Sequence, residues 1–203
     1  MPNVPIVWFA TVLIVACVFL ALLHRYLTRE VWDAEGKNAV KQTRRILKRY
    51  AALRRFKVLK NLCFETDRGS VEVETMLVGF FGILLVHTCG ARGEYYCDST
   101  GSKWTIVSGS ARKSFENPLN QQQKAIVAMR EIFAQNKVYK ISMDKTVYIS
   151  SSSKKTAVFI PSSNEVALPG RLRAYMDKEK FDVDNNVDVE QLVAILEQYQ
   201  QNK

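Results

Sequence analysis

Residues 71–89 read VEVETMLVGFFGILLVHTC, and this stretch decides the fold. Val71–Val78 and Ile83–Thr88 carry the β-branched and apolar composition of strands, and Gly79-Phe80-Phe81-Gly82 supplies the turn between them. Ile83-Leu84-Leu85-Val86 is apolar without alternation, which suits a central strand covered on both faces.

Working outward toward the C-terminus, Tyr95–Cys97 and Trp104–Val107 have strand character around a turn at Asp98–Gly101. A helix is predicted over 118–134. Asn117 can cap it, Pro118 fits its first position, and Ile126, Met129, Ile132 and Phe133 form its buried stripe. Val147–Ser150 and Ala157–Ile160 read as further strands, separated by the loop Ser151–Lys155. A last helix is capped by Asp188, with Gln191 three residues on, and buries Val189, Leu192, Val193 and Leu196.

Toward the N-terminus a short strand is predicted at Phe56–Leu59, preceded by a basic helix from about Gly36 to Leu53. Ala39, Val40, Thr43, Leu47, Tyr50 and Leu53 recur at helical spacing and form its inner face; Lys41, Arg44, Arg45, Lys48 and Arg49 fill the rest. Residues 24–60 hold twelve Lys/Arg and three Asp/Glu, which accounts for the whole net charge of +9; seventeen of each follow and cancel. The basicity is therefore local. A solvated helix back, contact with anionic lipid headgroups and phosphate binding to nucleic acid are all compatible with it, and proximity to an apolar run favours lipid.

That run, VPIVWFATVLIVACVFLALL at 4–23, carries no charge. Twenty helical residues at about 1.5 Å each span about 30 Å, the thickness of a bilayer core. Trp8 stands near one end, with Arg25, Tyr26 and Arg29 at the other. A cleaved leader wants basic residues before the run, and the first basic side chain comes after it. The expectation is a single-pass transmembrane anchor (1–24), a linker (25–35) and one domain (36–200), located at the cell membrane with the C-terminal domain cytoplasmic.

Four cysteines stand at 17, 63, 89 and 97 without a CxxC pair, and reduced thiols are expected for a cytosol-facing domain. His87, Cys89 and Cys97 are soft metal-ligand types, but their spacing matches no common zinc pattern. There are no internal repeats, and no Gly-rich phosphate loop follows any strand.

The frame of VEVETMLVGFFGILLVHTCGARGEYYCD, followed by NPLNQQQKAIVAMREIF, resembles the nuclease-related domain (NERD) family. In that family a strand ending in Ile-Asp leads through Gly-x-x-Gly to a central strand bearing Glu-x-Lys; a hairpin follows, then a helix opened by Asn-Pro-x-x-Gln. Gly79, Gly82, Gly93, Glu94, Asn117, Pro118 and Gln121 match, and the resemblance runs from about Gly36 to Gln200. It implies an α/β, restriction-endonuclease-like fold: a mixed sheet flanked by helices, here preceded by one transmembrane helix.

The chemical positions depart from the family. Its Asp falls on Glu74, its Glu on His87 and its Lys on Cys89, and an acidic residue of its first helix falls on Lys37. Paired carboxylates hold a hard Mg²⁺, and a lysine two residues along offsets developing charge. Neutral imidazole suits Zn²⁺ better, and a thiol offers no cation. The resemblance thus implies that catalytic positions Glu74, His87 and Cys89 are inactive and that no cofactor is bound. The domain would then be a cytosol-facing scaffold for a protein, nucleic-acid or lipid partner, lipid being met through residues 4–23 and the basic 37–57 segment. The alternative is a metal-dependent nuclease, using Mg²⁺, rebuilt from Glu74, His87 and Glu94.

Overall fold

A computed structural model describes residues 11–23, 37–66, 69–98, 100–151, 156–160 and 165–200. Residues 11–23 are helical (α1), and their large apolar side chains are exposed. The first seven residues of the 4–23 run and the linker lie outside the described residues. Among the described residues, no helix is long and apolar enough to cross a membrane.

The domain begins with α2 (Lys37–Arg54), followed by β1 (Lys57–Thr66), β2 (Gly69–Gly79) and β3 (Gly82–Cys89). Then come β4 (Glu94–Tyr96), β5 (Lys103–Ser108), β6 (Ala111–Glu116) and α3 (Pro118–Gln135). The chain ends with β7 (Met143–Ile149), β8 (Ala157–Phe159), β9 (Val166–Ala167), α4 (Leu172–Met176), a 3₁₀ turn at Glu179–Phe181 and α5 (Val189–Glu197).

These strands make two mixed sheets, where the sequence pointed to one. The larger has the order β1-β2-β3-β7-β9 and the smaller β6-β5-β4-β8. β3 is central as expected: antiparallel to β2, parallel to β7, with Ile83, Leu84, Leu85 and Val86 all essentially inaccessible. One face of the large sheet packs on α3 and α5 through Met129, Phe133, Leu192 and Leu196. The other packs on α2, α4 and the 3₁₀ turn through Leu47, Tyr50, Tyr175 and Phe181. A smaller core joins the second sheet to β7 and the start of α3 around Trp104, Tyr95 and Leu119.

The caps form as the sequence predicts: Asn117 accepts from the Leu119 N–H and Asp188 from the Gln191 N–H. In α2 the inner face runs through Ala39, Thr43, Leu47, Tyr50 and Ala51, while Leu53 is 74% exposed and does not belong to it. β1, at ten residues, is more than twice the predicted length. Its alternation changes step at Asn61, which holds φ of 52°. Leu59 and Leu62 consequently face the same core, although they stand three positions apart and would face opposite sides in a regular strand. β2 makes the matching change across Glu74 and Thr75: Val73 and Met76 share that core too. Register is kept, with Lys60 opposite Thr75 and Leu62 opposite Val73. A paired irregularity of this sort re-aims side chains without slipping the sheet.

Candidate functional site

Glu74 sits at that irregularity. Where the ladder between β1 and β2 opens, Arg44 of α2 fills the gap: its Nη2 donates to the Glu74 carbonyl at 2.8 Å and to Asn61 Oδ1 at 2.6 Å. Its Nε donates to Thr75 Oγ1 at 3.1 Å. A carbonyl left without a ladder partner must be satisfied some other way, and the guanidinium does so. The sequence placed Arg44 on the solvated back of α2; the structure turns it onto the sheet.

The carboxylate of Glu74 reaches the far end of β3. The β2–β3 ladder runs only from Gly79↔Gly82 to Thr75↔Val86, while β3 continues beside β7 as far as Cys89. Past the last pair, Glu74 takes the place of a strand: Oε1 accepts from Thr88 Oγ1 at 2.7 Å and Oε2 from the Thr88 N–H at 3.3 Å. His87 Nδ1 stands 3.9 Å from Glu74 Oε2, with 34% of the His87 side chain and 18% of the Glu74 side chain exposed.

Burial lowers the His87 pKa from its ordinary value, and the neighbouring Glu74 charge only partly opposes this. The imidazole is therefore neutral at neutral pH, and the contact with Glu74 is not an ion pair. Cys89 is buried, and burial raises its thiol pKa far above the usual range, with Cys97 and Glu74 adding to the effect. Cys97 is pushed up to about 12 by burial. Both thiols stay protonated, the state in which cysteine is neither nucleophile nor ready metal ligand.

A stability measurement tests the His87 assignment. Its folded pKa lies below the unfolded value of 6.5, so the unfolded chain binds the extra proton. Stability from His87 is thus complete above about pH 6.5 and declines as pH falls from there toward the folded pKa. The wild-type midpoint should drop through this window, and His87→Gln should flatten the slope. An unchanged slope in the variant would overturn the assignment.

Glu74, His87 and Cys89 thus lie near one another at one sheet end. Lys37 begins α2, but its side chain lies outside the described residues. Glu94 is not brought in: it is exposed on β4 of the second sheet and accepts from the Tyr96 hydroxyl at 2.9 Å. Gln121 donates to Glu116 at 2.8 Å. The sequence missed Thr88 and Arg44, the two side chains that fix Glu74. A threonine inside a strand and an arginine in a basic run carry no mark of such roles.

Among the described residues, no group of three or more His, Cys, Asp and Glu side chains could hold a metal ion. The donors present agree with that. A single carboxylate with both oxygens engaged by Thr88, a neutral imidazole and a protonated thiol do not make a site for a hard divalent cation.

A family model described as Nuclease-related domain matches residues 33–150, more than half the chain. No curated protein and no solved structure matches.

Proposed function

The chain belongs to the nuclease-related domain family, and from that premise we propose that it is a membrane-tethered binding module that does not cut nucleic acid. The observation that carries this is the state of the three catalytic positions. Glu74 is occupied in bridging β2 to Thr88, His87 is neutral, and Cys89 is a buried thiol. A lysine at position 89 would supply charge where a departing or attacking oxygen becomes negative, and losing such a donor typically costs on the order of 10²–10³ in rate. Loss of the second carboxylate removes the metal clamp as well.

Tethering is supported by the uncharged run at 4–23, and a cytoplasmic domain by the basic residues that follow it. The exposed apolar side chains of α1, among them Leu13, Val15 and Phe19, suit contact with lipid. A C-terminal reporter active only outside the cytoplasm would overturn this orientation.

The full chain, incubated with DNA or RNA and excess Mg²⁺ or Mn²⁺, should leave the substrate intact. Cleavage above background that is abolished by EDTA and by Glu74→Ala would defeat the proposal. Activity that appears only in the combined Glu74→Asp, His87→Glu, Cys89→Lys variant would support it, since the scaffold would then be competent and the native side chains the cause of silence.

A further inference from the structure

α2 and β1 enclose an open groove of about 730 Å³. Lys41, Arg45, Lys48 and Arg49 line it from the helix and Lys60 from the strand, with Arg44 at its inner wall. Arg44 is committed to Asn61, Glu74 and Thr75. The other five are exposed, and among the described residues no carboxylate forms an ion pair with any of them. Five uncompensated cations around one concavity repel each other, so the groove is complementary to a compact, multiply charged anion.

We propose that this groove binds the phosphate headgroups of anionic lipids at the surface of the membrane that holds the chain. Three observations select this occupant. Val40, Ala52 and Val58 provide an apolar floor, and among the described residues no aromatic side chain lines the groove. Stacking platforms are the usual means of holding single-stranded nucleic acid, so their absence from the lining turns the choice toward phosphate without bases. The groove volume falls in the range of small-molecule sites, which suits a headgroup better than a duplex. Position supplies the third. Residues 24–36 join α1 to α2, and thirteen residues reach at most about 45 Å, so a domain tied to a membrane by α1 keeps α2 close to its surface.

The proposal rests on the membrane-tethered reading, and the experiment separates the two. The full chain is reconstituted into discs of phosphatidylcholine alone or with phosphatidylglycerol added, and hydrogen exchange is followed across Lys37–Arg54. Protection of α2 should rise when phosphatidylglycerol is present and fall again with added salt. A basic side chain at an anionic surface contributes roughly fivefold to binding, so Lys41→Gln, Arg45→Gln, Lys48→Gln together should cut the docking equilibrium constant about a hundredfold and bring protection down to the phosphatidylcholine level. These positions are exposed, and an unchanged melting temperature confirms that the variant folds. Equal protection in both discs, or full protection in the variant, overturns the groove. So does an oligonucleotide that protects α2 in phosphatidylcholine discs as strongly as phosphatidylglycerol does, because the partner would then be nucleic acid. Failure of the chain to float with phosphatidylcholine vesicles at high salt would instead overturn the tether, since that step depends on the apolar run alone.

Discussion

Leu85→Asp should leave the domain without a cooperative melt at room temperature. Leu85 is fully inaccessible in the central strand, opposite Met76 of β2 and Lys145 of β7 in register, and belongs to the core packed on α3 and α5. Removing its side chain alone costs about 2–5 kcal/mol. An aspartate there must either stay charged without a partner or take up a proton and remain an unsatisfied polar group, and each option adds several kcal/mol. The sum rivals the whole stability of a typical domain, about 5–15 kcal/mol. Leu85→Met, which preserves volume, should cost less than about 1.5 kcal/mol and serves as the control. Circular dichroism on heating reads both, and a wild-type melt for Leu85→Asp would contradict the central placement of β3.

The second large effect is expected at Gly82, where the turn of the β2–β3 hairpin ends. Its φ is 119°, a region left almost entirely to glycine, and a Cβ there would lie 2.1 Å from the Ser142 carbonyl oxygen. That oxygen also accepts the Ile83 N–H at 2.9 Å, the bond that fixes the start of β3 to the segment leading into β7. Gly82→Ala must break this bond, worth about 0.5–1.5 kcal/mol, and also bear backbone strain of about 1–3 kcal/mol. A loss of roughly 3 kcal/mol or more should appear as a lower denaturant midpoint. Gly109→Ala provides the comparison, because Gly109 has φ of 61° and open space around it. Only the left-handed penalty of about 1–2 kcal/mol applies there. Equal losses at the two glycines would refute the steric argument.

What could be seen in the sequence follows from where the physical constraint is local. Ile83–Val86 announces its burial because both faces of β3 are covered, so alternation vanishes. Asn117 and Asp188 announce helix starts because an exposed N–H group needs an oxygen within three residues. β6 gave no such sign, since Ala111–Glu116 is an edge strand whose side chains stay largely in water. β9 and α4 are too short for a period to register. The division into two sheets also stayed hidden, because it depends on which strands pair across long separations.

At the candidate site, composition revealed which residues had been exchanged and geometry revealed what they do. Glu74, His87 and Cys89 could be aligned through the glycines of the hairpin. The change of step across Asn61 and Glu74 could not. It needs two paired strands to break alternation together, and a guanidinium from a third element to make the break tolerable.

The edge of the larger sheet has a consequence for how the chain is made. β1 pairs with β2 on one side; on the other, the Cys63 N–H donates to the Tyr199 carbonyl, and Leu62 forms a bridge with Gln200. The first strand of the domain is therefore finished by residues just beyond its last helix. During synthesis its outer edge stays open, a template for pairing with other chains, until residue 200 has left the ribosome. Closing this edge waits on pairing between residues 62–63 and 199–200, and contacts so distant in sequence form slowly. Throughout that interval the nascent chain presents an unprotected strand edge, which is where a chaperone would be needed.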